Sequence, residues 1–178
     1  MAGLNDLPLT GVRVVDRTGG GLAAAARLLG ELGAEVIRVE APGGGVDRTT
    51  GPMLAGTSLT FAAANLGKRA VAFAQDDPAF DALLAEAHIL IEDSAPGEGL
   101  DPTALAARHP ALVVVSVTGF GQTGPWAGWK ATDPVLHAVT GGLSRSGLPG
   151  RAPLLPPGEL TIETAAVQIA AIALSSFI

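Results

Sequence analysis

Apolar positions fall in short blocks whose period switches between that of a strand and that of a helix. Val12, Val14 and Val15 make a first apolar strand. Gly19-Gly20-Gly21 follows as a turn, since glycine enters left-handed backbone conformations without a steric penalty. Residues 22–32, rich in Ala and Leu, predict a helix that Gly33 ends from the C′ position. Val36, Ile37 and Val39 open a second strand, closing on Glu40. Residues 11–42 therefore read as one βαβ unit. Such units build parallel sheets whose ligand sites lie at the strand carboxyl ends.

The pattern continues in the same manner. Residues 41–67 are glycine-rich with little periodicity and predict an irregular excursion containing a short helix over 57–65. Residues 70–73 predict a third strand. Asp76 and Pro78 predict the start of a helix that places Phe80, Leu83, Leu84 and Ala87 on one face. Residues 88–92 predict a fourth strand, and 94–99 a loop. A helix is expected from Asp101-Pro102 to His109-Pro110. Residues 112–117, β-branched and unbroken, read as a fifth, central strand. A polar, glycine-rich loop over 118–133, a short helix over 134–140, a Pro/Gly-rich return over 141–159 and a last helix over 162–178 complete the chain. Alternating strands and helices define an α/β fold, with helices on both faces of a mostly parallel sheet and one domain over residues 1–178.

Composition narrows the picture. Hydrophobic residues are 48% but aromatics only 4%, so the core must be Ala, Val, Leu and Ile, as in a parallel sheet under close-packed helices. The net charge of -6 argues against nucleic acid, which needs a basic face. There is no cysteine, hence no thiol chemistry, and a cytoplasmic location is expected. The first residues lack a basic, apolar leader, so no signal peptide is expected. Residues 165–178 are apolar nearly all round yet too short to cross a bilayer, which takes about 20 residues. No membrane partner is expected; this helix should be buried, under more chain or under another protein.

Candidate chemistry gathers at element ends. Gly19–Ala24 satisfies G-x-G-x-x-A after a strand, and Glu40 stands where a ribose-binding acid would sit. That favours a nicotinamide dinucleotide, but Asp16-Arg17-Thr18 separates strand from glycines and brings a negative charge near a pyrophosphate. Glycines serving only the turn are an equal reading. The loop Thr118-Gly119-Phe120-Gly121-Gln122-Thr123-Gly124-Pro125-Trp126 leaves the fifth strand where α/β sheets place ligands, with N–H groups suited to oxyanions. Asp16, Glu40, Glu92, Asp133 and Glu163 lie at element ends. Glu163, at the start of the last helix, is a cap or dipole partner by default and a covalent nucleophile in a dry setting. His88, His109 and His137 read as structural, and no spacing predicts a metal site. Arg38 and Lys68-Arg69 offer cations for a phosphorylated ligand.

Five blocks in order give these residues a family. They are residues 8–16 (PLTGVRVVD), 32–42 (LGAEVIRVEAP), 65–69 (NLGKR), 89–92 (ILIE) and 118–125 (TGFGQTGP). Together they resemble the class III CoA-transferases of the CaiB/BaiF type, a family that also contains α-methylacyl-CoA racemase. The resemblance covers nearly the whole chain and implies a Rossmann-like sheet, truncated relative to the full family fold. It implies no tightly bound cofactor, with CoA or an acyl-CoA as substrate. The CoA site would draw on Asp16, Arg38, Lys68, Arg69, Gly119, Phe120, Gly121 and Gln122. Family enzymes use an aspartate nucleophile at the start of a helix resembling residues 170–174 (AAIAL), and counting back puts Glu163 at its place.

Three departures accompany the resemblance. The nucleophile is Glu rather than Asp. The family's E-N-F-R-P-G reads Glu92-Asp93-Ser94-Ala95-Pro96-Gly97, so an arginine is missing. Thr132 stands where the racemase branch has histidine. Family chains are also more than twice as long, and the resemblance implies a homodimer or a complementary C-terminal half as partner. The expected activity is CoA transfer between an acyl-CoA and a carboxylic acid. Alternatives are a degenerate member that binds CoA or a partner without turnover, and the nicotinamide binder.

Overall fold

The computed structural model describes residues 7–74 and 77–178. Strand β1 (Arg13–Arg17) leads through a 3-10 turn into α1 (Ala24–Glu31) and back to β2 (Glu35–Glu40). A second 3-10 turn (Val46–Thr49) precedes a hairpin of β3 (Met53–Leu54) and β4 (Thr57–Ser58). Helix α2 (Leu59–Ala64) and strand β5 (Arg69–Ala72) follow. Next come α3 (Pro78–Ala85), β6 (Ile89–Glu92), α4 (Pro102–Arg108) and β7 (Val113–Ser116). Helices α5 (Asp133–Val139) and α6 (Leu160–Phe177) close the chain. The large sheet runs β5-β2-β1-β6-β7, every pairing parallel. Strand order reverses between β1 and β6, and a crevice opens at such a switch point, outside the carboxyl ends.

Strand alternation sorts the core into two layers. Val14, Val36, Ile89 and Ile91 meet Ala25, Ala26 and Leu29 of α1 and Ala166, Ile169, Ala170 and Ala173 of α6. Val15, Val39 and Leu90 point to the other face, under Phe80 and Leu84 of α3 and Leu105 of α4. Small alanines on α1 and α6 let the two helices lie close over one sheet face. The end of α1 follows the Schellman pattern: Gly33 has φ +106°, Ala34 N–H donates to Leu29 O and Gly33 N–H to Gly30 O.

All five strands of the large sheet lie within about a residue or two of the predicted spans, but four expectations change. The valine run of β7 sits at the sheet edge, not its centre. Its hydrophobicity reflects cover on both faces, since Val113 and Val115 pack with the α1–α6 layer and Val114 with the α3–α4 layer. Helix α6 buries one stripe only, and Val167 and Ile172 on its other side stay exposed. It is long and apolar enough to cross a membrane by length and composition, yet its buried stripe packs on the sheet. The β3–β4 hairpin was absent from the sequence pattern; its turn uses Ala55 at φ +48° beside Gly56. Asp76, the predicted helix cap, lies outside the described residues, and the carboxylate that accepts from Ala79 N–H is that of Asp77.

The glycine run after β1 has distinct structural jobs. Gly20 adopts φ +56°, and a Cβ on Gly21 would stand 2.9 Å from Ile162 Cγ2 of α6. Gly19 has ordinary extended backbone, and a Cβ there would meet only Asp93 Oδ2 at 3.8 Å. Gly21→Ala should push α6 off the turn and cost about 1–3 kcal/mol in urea unfolding. Gly19→Ala should stay within about 0.5 kcal/mol of the parent.

Candidate functional site at the sheet's switch point

A cleft of about 1160 Å³ lies over the carboxyl ends of the strands. Its walls come from the turn after β1 (Thr18–Gly21), the end of β2, the 45–52 excursion, Asp93-Ser94 after β6, and α6. Each follows from topology: β1 and β6 diverge at the switch point, and α6 crosses the gap with Glu159, Glu163, Ala166 and Val167 facing in.

The floor is ionic and already saturated. Lys68, with only 2% of its side chain exposed, places Nζ 2.6 Å from Asp16 Oδ2, 2.6 Å from Ala23 O and 2.9 Å from Asn65 Oδ1. Burial pulls the Lys68 ammonium below its ordinary pKa, against the opposing charge of Asp16. Asp16 is fully buried, and its other oxygen accepts from Thr18 N–H and Oγ1–H. Arg38 spends Nε on Glu40, one terminal nitrogen on Thr18 O and Asn65 Oδ1, and the other on both Asp47 oxygens at 2.8–2.9 Å. Burial opposes its charge, but Glu40, Asp47 and Asp16 outweigh that and raise its pKa. Arg48 closes the network on both oxygens of Glu40 and, like Arg38, lies over the Phe61 ring. The excursion is thereby tied down across the end of β2.

The same bonds occupy the glycine turn. Gly19 N–H donates to Asp93 Oδ2 at 2.9 Å and Gly20 N–H to Asp47 Oδ2 at 3.1 Å. Two donors that a dinucleotide pyrophosphate would need are thus already taken, and so is Glu40, the acid a ribose would need. Burial raises the Asp93 carboxyl above its ordinary pKa, the Gly19 bond notwithstanding. Among the acids lining the cleft, Glu159 and Glu163 make no side-chain hydrogen bond or ion pair among the described residues. Both belong to the start of α6, and Glu163 is exposed one turn into it.

The loop after β7 lines a neighbouring cleft of about 720 Å³, shared with Ala95, α5 and the other side of α6. Gly119 is needed there because a Cβ would lie 2.0 Å from Ala131 Cβ. Phe120 packs edge-on against Trp126 and Trp129, centroids 6.1 Å apart in each case, and the two indoles stack at 5.6 Å. Gln122 Nε2 donates to Ser116 Oγ at 2.8 Å and Ser94 O at 3.2 Å, and Gly121 has φ +86°. Asp133 Oδ1 accepts from Thr161 N–H at 2.9 Å, tying α5 to the start of α6.

The structure thus brings together only some of the sequence-predicted residues. Arg38 and Glu163 line the first cleft and Gly119 the second. Asp16 and Lys68 lie beneath the first cleft, outside its lining, and neither they nor Arg38 hold out a free N–H or carboxylate oxygen. Phe120, Gly121 and Gln122 shape the loop rather than line a cleft. Arg69 stands at the start of β5, at the opposite end of the sheet, and pairs with Glu35. His88 accepts from Arg13 N–H, and His109 bonds Asp81, both away from the clefts. Sequence reasoning passed over Arg17 and Arg27, which also line the first cleft. Arg27 pairs with Glu31 within α1. Arg17 has no acid partner among the described residues; its guanidinium lies 5.6 Å from the Phe80 ring centroid. Its strand alternation was readable, but which strand lay beside it was not. Among the described residues no cluster of three or more His, Cys, Asp or Glu is arranged for a metal.

With this geometry in place, comparison with known proteins identifies the class. The chain belongs to CoA-transferase family III, which matches residues 9–176. It is similar to the probable CoA-transferase Rv1866 of Mycobacterium tuberculosis, 44% identical over 159 residues, covering 85% of this chain and 20% of that one. It is 38% identical to the alpha subunit of succinyl-CoA–L-malate CoA-transferase of Chloroflexus aurantiacus, covering 86% of this chain and 39% of that subunit. Among solved structures, a CaiB/BaiF family protein from Brucella suis superposes with a TM-score of 0.82 at 31% identity, covering 96% of this chain and 50% of that one. The chain therefore corresponds to the N-terminal part of the family fold, and spans half or less of the length of these relatives.

Two outcomes test the ionic floor. Lys68→Met should lose about 3–5 kcal/mol in urea unfolding by leaving Asp16 charged and unpaired, and adding Asp16→Asn should restore part of it. The second concerns acid. Burial alone raises the Glu40 carboxyl, but the hydrogen bonds and charges of Arg48 and Arg38 outweigh it and set its pKa below that of an ordinary glutamate. The unfolded chain then takes up that proton at higher pH than the folded one. The stability carried by Glu40 is complete above the ordinary glutamate range and is lost as pH falls through the folded value. Urea midpoints measured from pH 7 downward should drop more steeply for the parent than for Glu40→Gln.

Proposed function

We propose that this chain carries the CoA site and the nucleophile of a class III CoA-transferase, which moves CoA between an acyl-CoA and a carboxylic acid. The observation that carries the reading is Glu163, a carboxylate with no partner among the described residues, on the wall of a switch-point cleft whose lining acids Glu40, Asp47 and Asp93 are all bonded. Counting back from the family-like residues 170–174 to the start of α6 supports Glu163 as the nucleophile. CoA enters as substrate, with no tightly bound cofactor. Of the arginines lining the cleft, Arg17 and Arg27 keep N–H groups without a partner among the described residues.

The chemistry follows from a carboxylate meeting a thioester. Glu163 attacks the acyl carbonyl and expels the CoA thiolate, leaving a glutamyl–acyl anhydride. The thiolate attacks the glutamyl carbonyl and releases the first carboxylate, leaving a glutamyl-CoA thioester. An acceptor carboxylate then attacks that thioester, and the returning thiolate takes the new acyl group and frees Glu163. The exposed Ile172 on α6, outside both clefts, favours a protein partner there, either a second copy or a chain bearing the rest of the family fold.

A second reading, a member that binds CoA without turnover, is favoured by Ala95 in place of arginine and by the extra methylene of Glu163. Misplacement of a nucleophile by about 1 Å is worth about 100-fold in rate. Incubation with an acyl-CoA and hydroxylamine separates the two. The transferase should yield a hydroxamate at Glu163 by mass spectrometry, absent in Glu163→Gln and retained in Glu159→Gln. CoA binding by calorimetry with no hydroxamate across several acyl-CoAs would establish the second reading.

A further inference from the structure

The second cleft carries its own chemical signature. Three of the residues lining it hold a buried polar atom without a hydrogen-bond partner: Thr118 Oγ1, Thr161 Oγ1 and His137 Nε2. His137 Nε2 stands 3.4 Å from Asp133 Oδ2, too far for a good hydrogen bond. Buried polar groups in folded proteins are almost always paired, so three orphans around one cavity mark the place of a hydrogen-bonding occupant. The rest of the wall, including Leu22, Val117, Trp129 and Ile162, is apolar.

Charge restricts that occupant. Among the described residues no Lys or Arg lines the second cleft, while Asp93 does. Lys130, between the wall residues Trp129 and Ala131 in sequence, is exposed and not part of the wall. An anionic group would lose water there and gain no cation, beside an acid. The first cleft does hold cations, with Arg17, Arg27 and Arg38 in its wall beside the acids Glu40, Asp47, Asp93, Glu159 and Glu163. The two meet at the start of α6: Glu163 faces the first cleft, its neighbours Ile162 and Thr164 line the second, and Asp93 borders both.

We infer that the second cleft is the acyl pocket and that it selects an uncharged acyl group bearing a hydroxyl or carbonyl. Thr118, Thr161 and His137 bond that oxygen. This rests on the proposed CoA chemistry, with the nucleotide in the first cleft and the thioester carbonyl at Glu163. It sets the chain apart from relatives named for succinyl-CoA, whose acyl group carries a second carboxylate.

The two tryptophans of the chain make the test direct. Trp129 lines the cleft and Trp126 stacks on it, so intrinsic fluorescence reports its occupancy. The full chain is titrated with N-acetylcysteamine thioesters of 3-hydroxybutyrate, butyrate and succinate. The hydroxyacyl thioester should bind tightest, butyryl up to about tenfold weaker for want of a hydrogen bond, and succinyl weakest. Thr161→Val or Thr118→Val, checked for folding by circular dichroism, should bring the hydroxyacyl affinity down toward that of butyryl and leave butyryl unchanged. Succinyl binding as tight as hydroxyacyl, or indifference to both valine variants, overturns the inference. So does a silent fluorescence signal while calorimetry registers CoA, an outcome that leaves the CoA reading intact. Fluorescence selectivity without any CoA heat would support the pocket and overturn the transferase reading instead.

Discussion

One buried ammonium holds the carboxyl edge of the sheet in place. Lys68 reaches from the loop before β5 to the end of β1, the start of α1 and the end of α2, and each of its bonds joins a different element. Two ions removed from water attract each other strongly, but the attraction offsets their desolvation only if every remaining donor and acceptor is also matched. Here they are matched, with Thr18 completing Asp16 and Asn65 and Ala23 completing Lys68. Such a pair fixes geometry more than it adds stability. It sets where the turn after β1 lies, and therefore where the cleft opens and how close α6 approaches.

That rigidity divides the charges at the site into two populations. Arg38, Glu40, Asp47 and Arg48 satisfy one another and hold the excursion after β2. Arg17, Glu159 and Glu163 have no such obligations among the described residues. A ligand entering the cleft meets a preformed frame with a few unspent groups on its rim. Preorganisation of this kind lowers the cost of ordering a ligand.

Much of the frame was legible from residue patterns. The valine and isoleucine runs located the strands, and Gly33 marked the end of α1 because a left-handed C′ residue leaves few alternatives. The family blocks ordered these elements and pointed to Glu163. What stayed hidden depended on contacts distant in sequence. Arg38 and Lys68 read as free cations because nothing local announces that Asp47 and Asp16 are aimed at them. The valines of β7 read as central because burial by helices and burial by strands leave the same apolar run. The second cleft was legible only in part: the loop from Thr118 to Trp126 stood out as a place for a ligand, but its meeting with His137 and Thr161, from two other elements, did not.

The place of α6 in the chain has a consequence for synthesis. Val14, Ile89 and Ile91 share their layer with Ala166, Ile169, Ala170 and Ala173, so that layer is incomplete until residues 160–177 arrive. On the ribosome, the earlier strands can pair and gain cover on the α3–α4 side first, while the opposite face stays partly bare. Nascent chains with a bare apolar sheet face are aggregation-prone, a condition that lasts until α6 docks.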